Sequence, residues 1–546
     1  MDNLDLIDPV DDIFDEEYED NQDSDEDIAL AEEDAEAVEA SLGISKDEAK
    51  ARLGISKAQA ESNYSAAGTE VEEESDRITV DGNKHMMSIE VDDILDIVVE
   101  KLEMPYKPAE FQRVAINVLG QQKHLILASP TGLGKMNVPL LATLVLREKL
   151  KKPKGVAIVT QPLTSIMNQK MTNDVCDVAV LSMAGELRTR TDNDDDEDDA
   201  SLSCNLQELL DGRYPTLLGH PESFDSKLGQ HILRELQRLD SLILVCIDEF
   251  HQGGESHWSS FRPSMMKGST GLRLYGVKDC PTLAMTATAT KEEIDEVVTA
   301  MGLRVLPVIL TSDPIQPHIK YSVVRRPSNN FGLDGTTNKN GDRKPGLMDL
   351  LQLVFLQKYF EDLEKGRKPM SAIVFCRGNA VMGAIYSRLM ELTNYRYKDA
   401  RDSPFVMNHS SLLPPTEKVL ATRASEISLY LTSNKMLLGI DLADIDMVIF
   451  LRPFNQPASL VQGGGRGGRK MENGKRRRVQ VYQFFNSQDL TSRNKLMSPQ
   501  MKKICLSKEC SRLLLKEFFV GNSEQQEVDD VLDDGHCCHN CDQQKL

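Results

Sequence analysis

Two short stretches of the sequence carry the residue types that phosphate chemistry requires. Residues 129–135 read Ser-Pro-Thr-Gly-Leu-Gly-Lys and follow an apolar run that is typical of a buried strand. Glycines let backbone N–H groups approach a phosphate, a helix that begins there presents its positive end, and the Lys135 ammonium group can reach terminal phosphates. The second stretch, residues 244–249, is an apolar run that ends in Asp248 and Glu249. Together they predict a site for ATP and Mg²⁺.

The roles of the acidic pair follow from this prediction. Asp248 lies 113 residues after Lys135, a normal spacing for two such motifs. We expect Asp248 to hold Mg²⁺ through water, and Glu249 to orient or deprotonate the water that attacks the γ phosphate. An aromatic ring and an amide upstream are also placed to hold adenine. The predicted nucleotide-binding residues are Phe111, Gln112, Thr131, Gly132, Leu133, Gly134, Lys135 and Met136.

Met136 departs from the phosphate-loop pattern. The position after the lysine normally carries Ser or Thr, whose hydroxyl binds Mg²⁺, and a thioether is a poor ligand for that hard ion. Because Mg²⁺ keeps several waters and Asp248 remains, we expect slow but measurable hydrolysis.

The pattern of apolar residues shows which elements position these motifs. Helical spacing over residues 94–102 alternates with short apolar runs at residues 125–128, 156–160 and 242–247. Helices that alternate with buried strands predict parallel α/β sheets. The pattern pauses in a polar, glycine-rich stretch at residues 326–345 and then resumes. We therefore predict two tandem α/β domains, with the ligand between them at the carboxyl ends of strands.

The net charge of -23 is concentrated in segments whose composition is typical of disorder. Residues 1–80 contain 27 acidic and five basic residues, and seven more acids lie within residues 192–199. Without both segments the chain is mildly basic, as expected of a phosphate-binding surface. We predict a disordered acidic tail. Its repeated Leu-Gly-Ile-Ser-Lys, at residues 42–46 and 53–57, either docks on a protein partner or reflects low complexity.

Several classes of protein are excluded by composition. No run of about 18 apolar residues is present, and the first residues lack the basic start and apolar centre of a secretory signal. We therefore expect no membrane partner, an intracellular location and reduced thiols. The basic run at residues 475–478 has three open interpretations: a nuclear-import signal, a phosphate contact or a solvated hairpin tip.

Six further motifs accompany the phosphate loop and the acidic pair. They read Pro-Leu-Thr-Ser-Ile-Met at residues 162–167, Ala-Met-Thr-Ala-Thr-Ala at 284–289, Ile-Val-Phe-Cys-Arg at 373–377, His-Ser-Ser-Leu at 409–412, Gly-Ile-Asp at 439–441 and Gln-Gly-Gly-Gly-Arg-Gly-Gly-Arg at 462–469. Over residues 90–545 the chain therefore resembles the superfamily-2 helicases, and the RecQ-like DNA helicases in particular. The resemblance implies two tandem RecA-like parallel-sheet domains.

The resemblance also implies roles for individual residues. The implied catalytic residues are Lys135, Asp248, Glu249, His251, Gln462, Arg466 and Arg469. The implied nucleic-acid contacts are Thr164, Ser165, Trp258, Phe261, Arg262 and Ser433. Arg466 and Arg469 would reach across the cleft to the γ phosphate, and Asp441 would join the nucleotide site. Base stacking is implied for Trp258, for which a plain core anchor is the alternative. A disordered RNA-binding segment is the alternative for residues 462–469.

The cysteines after residue 500 resemble the zinc module that follows the motor in RecQ-like proteins. Cys538 and Cys541 have the spacing of a zinc knuckle. The expected Zn²⁺ ligands are Cys510, Cys537, Cys538 and Cys541. The fourth ligand is open between His536, Cys537 and His539, Cys505 competes with Cys510, and a frayed cysteine-rich end is the alternative. Because the chain ends at Leu546, we expect no winged-helix domain.

These features predict four segments and one leading function. The segments are an acidic disordered tail at 1–85, an ATP-binding RecA-like domain at 86–315, a second RecA-like domain at 316–495 and a zinc-binding module at 496–546. The leading hypothesis is an ATP-dependent 3′–5′ helicase or translocase that acts on single-stranded and forked DNA, in nuclear DNA repair or recombination. The alternatives are a nucleic-acid or chromatin adaptor with little turnover and an RNA helicase.

Overall fold

The computed structural model describes most of the chain after residue 86 and two short segments before it. The described residues are 70–72, 78–80, 87–104, 107–130, 132–162, 167, 170, 176–190, 201–250, 280–301, 306–326, 336–337, 343–344, 346–376, 378–397, 403–408, 426–433, 445–469, 471–472, 475–491, 497–520 and 537–541.

Strands and helices alternate along most of the described chain. The strands are β1 (Glu70–Glu72), β2 (Ile78–Val80), β3 (Leu125–Ala128), β4 (Val156–Thr160), β5 (Val178–Leu181), β6 (Leu187–Arg190), β7 (Ser201–Ser203), β8 (Thr216–Gly219), β9 (Leu242–Asp248), β10 (Thr282–Thr286), β11 (Val308–Ser312), β12 (Ile319–Arg325), β13 (Thr336–Thr337), β14 (Arg343–Lys344), β15 (Ala372–Phe375), β16 (Phe405–Asn408), β17 (Leu429–Thr432), β18 (Met447–Phe450), β19 (Met471–Glu472), β20 (Lys475–Arg477) and β21 (Val479–Phe485). The helices are α1 (Ile89–Lys101), α2 (Glu110–Gly120), α3 (Asn137–Leu150), α4 (Leu206–Leu210), α5 (Pro221–Asp225), α6 (Lys227–Arg238), α7 (Lys291–Met301), α8 (Leu347–Leu351), α9 (Gln357–Glu364), α10 (Asn379–Leu392), α11 (Pro457–Gly464), α12 (Pro499–Leu506) and α13 (Ser511–Val520), with a π-helical turn at Gln352–Leu356 and a 3₁₀ turn at Gln488–Leu490.

The first α/β domain is built on a ten-stranded sheet with the order β2-β11-β3-β10-β9-β4-β8-β5-β6-β7. The strands from β11 to β5 are parallel, and β2, β6 and β7 add to the edges antiparallel. Successive residues of β3 point into opposite core layers: Leu125 and Leu127 pack with α1 to α3, and Ile126 and Ala128 pack with α7. Burial on both faces explains why this strand is apolar throughout.

The second domain is an all-parallel sheet with the order β12-β21-β18-β15-β17-β16. One face packs against α8 to α10. The other face is covered by α11 together with α12 and α13, whose buried side chains include Met501, Ile504 and Leu515. The predicted zinc module at 496–546 therefore shares the core of the second domain.

A six-residue connection joins the two large sheets, because β11 ends at Ser312 and β12 begins at Ile319. The predicted domain boundary after residue 315 lies within it. The Arg512 guanidinium of α13 donates hydrogen bonds to the carbonyl oxygens of Gln316, at 3.1 Å, and Ile319, at 2.5 Å. The C-terminal helices thus hold the connection between the domains.

Two short strands are described within the acidic segment at residues 1–85. Strand β2 pairs antiparallel with β11 of the first domain. Strand β1 pairs antiparallel with β20 of the second domain, and the register places Glu70 opposite Arg477 and Glu72 opposite Lys475. Residues 78–80 are all β-branched, and β1 and β20 have opposite charge, so both pairings have local causes that the overall composition of the tail hides.

No helix within the described ranges is both long and apolar enough to cross a membrane.

Candidate functional site

Four strands of the first domain end at one edge of the sheet. The parallel register places Ala128 of β3 beside Thr286 of β10, and Met285 of β10 beside Asp248 of β9. It also places Thr160 of β4 beside Ile247 of β9. The residues that follow these positions therefore meet at the carboxyl edge, where α/β sheets bind ligands.

The phosphate loop connects β3 to α3 at this edge. Gly132 has a φ of +83° and Gly134 a φ of +75°, a backbone conformation that side chains disfavour. A Cβ atom on Gly134 would also lie 2.8 Å from Nε2 of Gln112. Both glycines are therefore required for the shape of the loop.

Gln112 of α2 braces this loop from behind. Its Oε1 accepts a hydrogen bond from the Ala109 N–H at 2.8 Å, and its Nε2 donates to the Gly134 carbonyl at 2.9 Å. Its neighbour Phe111 is 4% exposed and packs in the core with α1 and α3. Phe111 thus packs as a core side chain in this structure, and its contact with adenine stays a prediction.

The Lys135 side chain folds over its own loop. Its Nζ donates to the carbonyl oxygens of Ser129, at 2.5 Å, and Pro130, at 2.7 Å. Burial lowers the pKa of Lys135 to about 8, the carboxylates of the acidic pair act in the opposite direction, and the charges of Arg469 and Arg466 lower it further. The two carbonyl oxygens carry only partial negative charge. A terminal phosphate carries a full negative charge and would therefore bind this ammonium group more strongly.

The acidic pair ends β9 as predicted from the sequence. Asp248 is 5% exposed, and burial raises its pKa to about 7, with a further rise from the adjacent Glu249 charge. A 2.6 Å hydrogen bond from Gln161 Nε2 opposes that rise by stabilising the carboxylate. Glu249 adopts a left-handed backbone with a φ of +51°, and its Oε2 accepts a hydrogen bond from the Thr286 hydroxyl at 3.3 Å.

Met136 stands where the loop pattern has a hydroxyl. It precedes the first turn of α3 without a side-chain capping bond, and its half-buried side chain packs against the core of the first domain. Its sulfur lies 3.9 Å from Nε2 of Gln161. The methionine therefore contributes packing, and the polar contact with Asp248 comes from Gln161.

Gln161 and Ser129 were missed by the sequence predictions. Each directly follows a strand, β4 or β3, and its strand position alone was enough to place it at the carboxyl edge. Among the described residues, the Ser129 hydroxyl and the Gln161 Oε1 are buried without a hydrogen-bond partner. Two carboxylates and two buried oxygens form a donor set of hard oxygens, which fits Mg²⁺.

The second domain brings two arginines to the phosphate loop. They follow α11, and Arg466 is only 5% exposed. The Cγ atom of Arg469 lies 3.2 Å from the position that a Cβ on Gly132 would occupy. Gln462 is also buried, and its Nε2 has no partner within the described ranges. The cleft thus collects donors and positive charge from both domains around one loop.

Of the predicted nucleic-acid contacts, Ser433 lies within the described residues. The Ser433 side chain is half-buried after β17, and its hydroxyl has no partner among the described residues. Eight predicted site residues lie outside the described residues and stay predictions: Thr131, Thr164, Ser165, His251, Trp258, Phe261, Arg262 and Asp441.

Four cysteines form a cluster at the C-terminal end of the described chain. The sulfur atoms of Cys510, Cys537, Cys538 and Cys541 all lie within 4.8 Å of one another, and none is in a disulfide. The closest sulfurs, of Cys510 and Cys537, are 3.4 Å apart, and two further pairs are separated by 3.8 Å. Four sulfurs about 2.3 Å from a tetrahedral Zn²⁺ lie about 3.8 Å from one another, so the cluster fits this ion.

The cluster contains only some of the ligand candidates that the sequence left open. Cys537 joins the set, whereas His539 does not, and His536 lies outside the described residues. Cys505 is instead buried in the core of the second domain. An isolated backbone β-bridge between Cys538 and Tyr321 of β12 connects the cluster to the six-stranded sheet of the second domain.

Comparison with known proteins agrees with this geometry. Residues 109–297 match the DEAD/DEAH box helicase family. ATP-dependent DNA helicase Q-like 5 of Arabidopsis thaliana is 25% identical over 373 residues, which are 67% of this chain and 34% of that protein. ATP-dependent DNA helicase Q-like 4B of the same organism is 28% identical over 220 residues, 39% of this chain and 17% of that protein. Residues 109–297 thus form a DEAD/DEAH box helicase domain, and the chain is similar to RecQ-like DNA helicases.

The fold of this chain is also similar to that of a solved helicase structure. The DUF1998 helicase MrfA in its DNA-bound crystal structure has a TM-score of 0.52 and 14% identity, over 79% of this chain and 52% of that one. The chain spans about a third of the length of the Q-like 5 helicase that it matches. The family match covers the phosphate loop and the acidic pair, whereas the arginines of the second domain lie beyond it.

Proposed function

We propose that this protein is a RecQ-like, ATP-dependent DNA helicase or translocase that moves 3′ to 5′ on single-stranded DNA and opens forked duplexes. The observation that supports it most is the cleft itself, in which Arg469 of the second domain approaches Gly132 and its charge acts on Lys135. A nucleotide held by both domains can couple hydrolysis to movement of one domain against the other.

Each residue of the cleft has a proposed task. Lys135 binds the terminal phosphates once it leaves the carbonyls of its loop, and Arg466 and Arg469 stabilise charge that develops on the γ phosphate. Glu249 orients the attacking water and takes its proton. Mg²⁺, held at Asp248, would neutralise charge on the β and γ phosphates. The Thr286 hydroxyl links Glu249 to the strand that precedes residues 287–289.

The division into segments and the partners belong to the same proposal. The tail at 1–85 would offer a docking segment to a protein partner, and the domains at 86–315 and 316–495 would form the motor. The names of the curated relatives, both DNA helicases, support DNA as the substrate and a nuclear location.

A second candidate function is favoured by one observation. Met136 replaces the hydroxyl that binds Mg²⁺, so the chain could bind nucleotide and DNA as an adaptor without turnover. An RNA helicase is the third candidate.

One experiment separates the three candidates. We expect single-stranded DNA to raise the kcat of ATP hydrolysis by the full chain, and single-stranded RNA of the same length to raise it much less. Nucleotide and DNA binding without hydrolysis would identify the adaptor. Stimulation by RNA alone would identify an RNA helicase.

We also propose that Cys510, Cys537, Cys538 and Cys541 bind one structural Zn²⁺. Their helices and the bridge to β12 belong to the second domain, so the ion would stabilise that domain and its connection to the first. Metal binding to such a site contributes directly to the free energy of folding.

We expect purified protein to carry about one zinc per chain, and Cys537→Ser to lose most of it with a lower Tm, because three thiolates leave the ion incompletely held. Elemental analysis and thermal unfolding measure both effects. Cys505→Ser is the matched control, since that thiol is buried nearby but lies outside the cluster. Equal zinc loss in both variants, or no zinc in protein prepared without chelator, contradicts the assignment.

A further inference from the structure

Gln161 is a buried side chain that contacts both Asp248 and Met136. It directly follows β4, has no exposed surface, and is held in place by a 2.9 Å hydrogen bond from its own N–H to the Gly219 carbonyl. Its Nε2 donates to Asp248 Oδ2 at 2.6 Å and lies 3.9 Å from the Met136 sulfur. One amide group thus joins the metal-binding carboxylate to the residue that lacks a hydroxyl.

The orientation of this amide follows from its partner. The Gln161 nitrogen donates to Asp248, so the oxygen of the same amide points away from that hydrogen bond. That oxygen is buried and has no partner among the described residues. An unsatisfied buried acceptor destabilises a fold, and a ligand of matching chemistry would relieve that cost.

We propose that the side-chain oxygen of Gln161 contacts the Mg²⁺ ion that accompanies ATP, directly or through one water, and replaces the hydroxyl missing at Met136. This inference rests on the proposed nucleotide site. An amide oxygen is a hard ligand of the type that Mg²⁺ accepts, whereas the thioether of Met136 is not. Its position beside Asp248 places it where that ion would be held.

A purely structural role for Gln161 makes a different prediction. If the amide only braced β4 and β9, its loss would lower stability and weaken nucleotide binding equally with and without metal. If its oxygen contacts the ion, the loss falls on the metal-dependent part of binding alone. A hydroxyl restored at position 136 would then make the oxygen dispensable.

The test measures the affinity of the full chain for a fluorescent ATP analogue, in Mg²⁺ and in EDTA. For Gln161→Leu we expect the gain in affinity from Mg²⁺ to fall about tenfold or more, with the metal-free Kd nearly unchanged, as for other residues that support a bound metal. In the Met136→Thr background the same substitution should have little effect, so the two changes should be strongly non-additive. Gln161→Asn, which retracts the oxygen by one methylene, should show an intermediate loss and replaces the leucine variant if that variant does not fold.

Gln483→Leu is the matched control. This glutamine is also buried, and its Nε2 lies 3.4 Å from the Met501 sulfur, but it belongs to the core of the second domain. Its loss should leave the effect of Mg²⁺ unchanged. An unaltered Mg²⁺ gain in Gln161→Leu, or additive effects with Met136→Thr, would overturn the inference while nucleotide binding stands. A wild-type chain that binds no nucleotide would overturn the proposed function and this inference with it.

Discussion

Replacing Arg469 with alanine should lower the kcat of DNA-stimulated ATP hydrolysis about a thousandfold, which corresponds to about 4 kcal/mol at the barrier. The side chain comes from the second domain, and its Cγ atom lies 3.2 Å from the position that a Cβ on Gly132 would occupy. Its positive charge would therefore stand beside the γ phosphate as negative charge develops there. Nucleotide affinity should change much less, because most of the contact would form in the transition state.

Steady-state kinetics with saturating single-stranded DNA measure this effect. Arg469→Lys should also be poor, since an ammonium group cannot reproduce the planar pair of donors that a guanidinium presents. Arg388→Ala is the control, because that arginine is exposed on α10 and forms an ion pair with Glu391 on the same helix. A kcat for Arg469→Ala within about threefold of wild type would remove the arginine from the proposed mechanism.

Glu249→Gln should lower kcat by about a hundredfold to ten-thousandfold, the range expected when a general base is lost. The amide keeps the size of the side chain and can still accept the hydrogen bond from Thr286, but it cannot take a proton from water. Nucleotide should still bind, because one negative charge fewer faces the phosphates.

Rapid-quench measurements of a single turnover would locate the loss in the chemical step. Glu186→Gln, on an exposed glutamate that pairs with Arg188, should behave as wild type. A Glu249→Gln chain that hydrolyses ATP at the wild-type rate would show that another group activates the water.

The motifs whose chemistry requires particular residue types at fixed spacing were predictable from the sequence. Phosphate binding needs glycines and a lysine at fixed spacing after a strand, and the structure has Gly132 and Gly134 in the backbone conformation that this spacing implies. Alternating helical and strand patterns gave both parallel sheets, because strands buried on two faces are apolar throughout. The structure also brings the four predicted cysteines together, although spacing alone left the fourth member open.

Features that arise from distant packing were not predictable in the same way. Phe111 lies in the core because of how α2 crosses α1 and α3, which no local pattern reports. The contact of Gln161 with Asp248 joins residues 87 positions apart and depends on β4 and β9 being neighbours in the sheet. The two short strands of the acidic tail depend on partners at residues 308–312 and 475–477, far along the chain.

The pairing of those two strands with different domains limits how far the two domains can separate. Strand β1 is paired within the second domain and β2 within the first, and only six residue steps separate Glu72 from Ile78. A fully extended chain of that length spans about 20 Å. The covalent length of this segment therefore sets the largest distance between Glu72 and Ile78. A larger distance would require β1 or β2 to break its strand pairing. Opening of the cleft beyond this span would therefore also release one strand of the acidic tail from its domain.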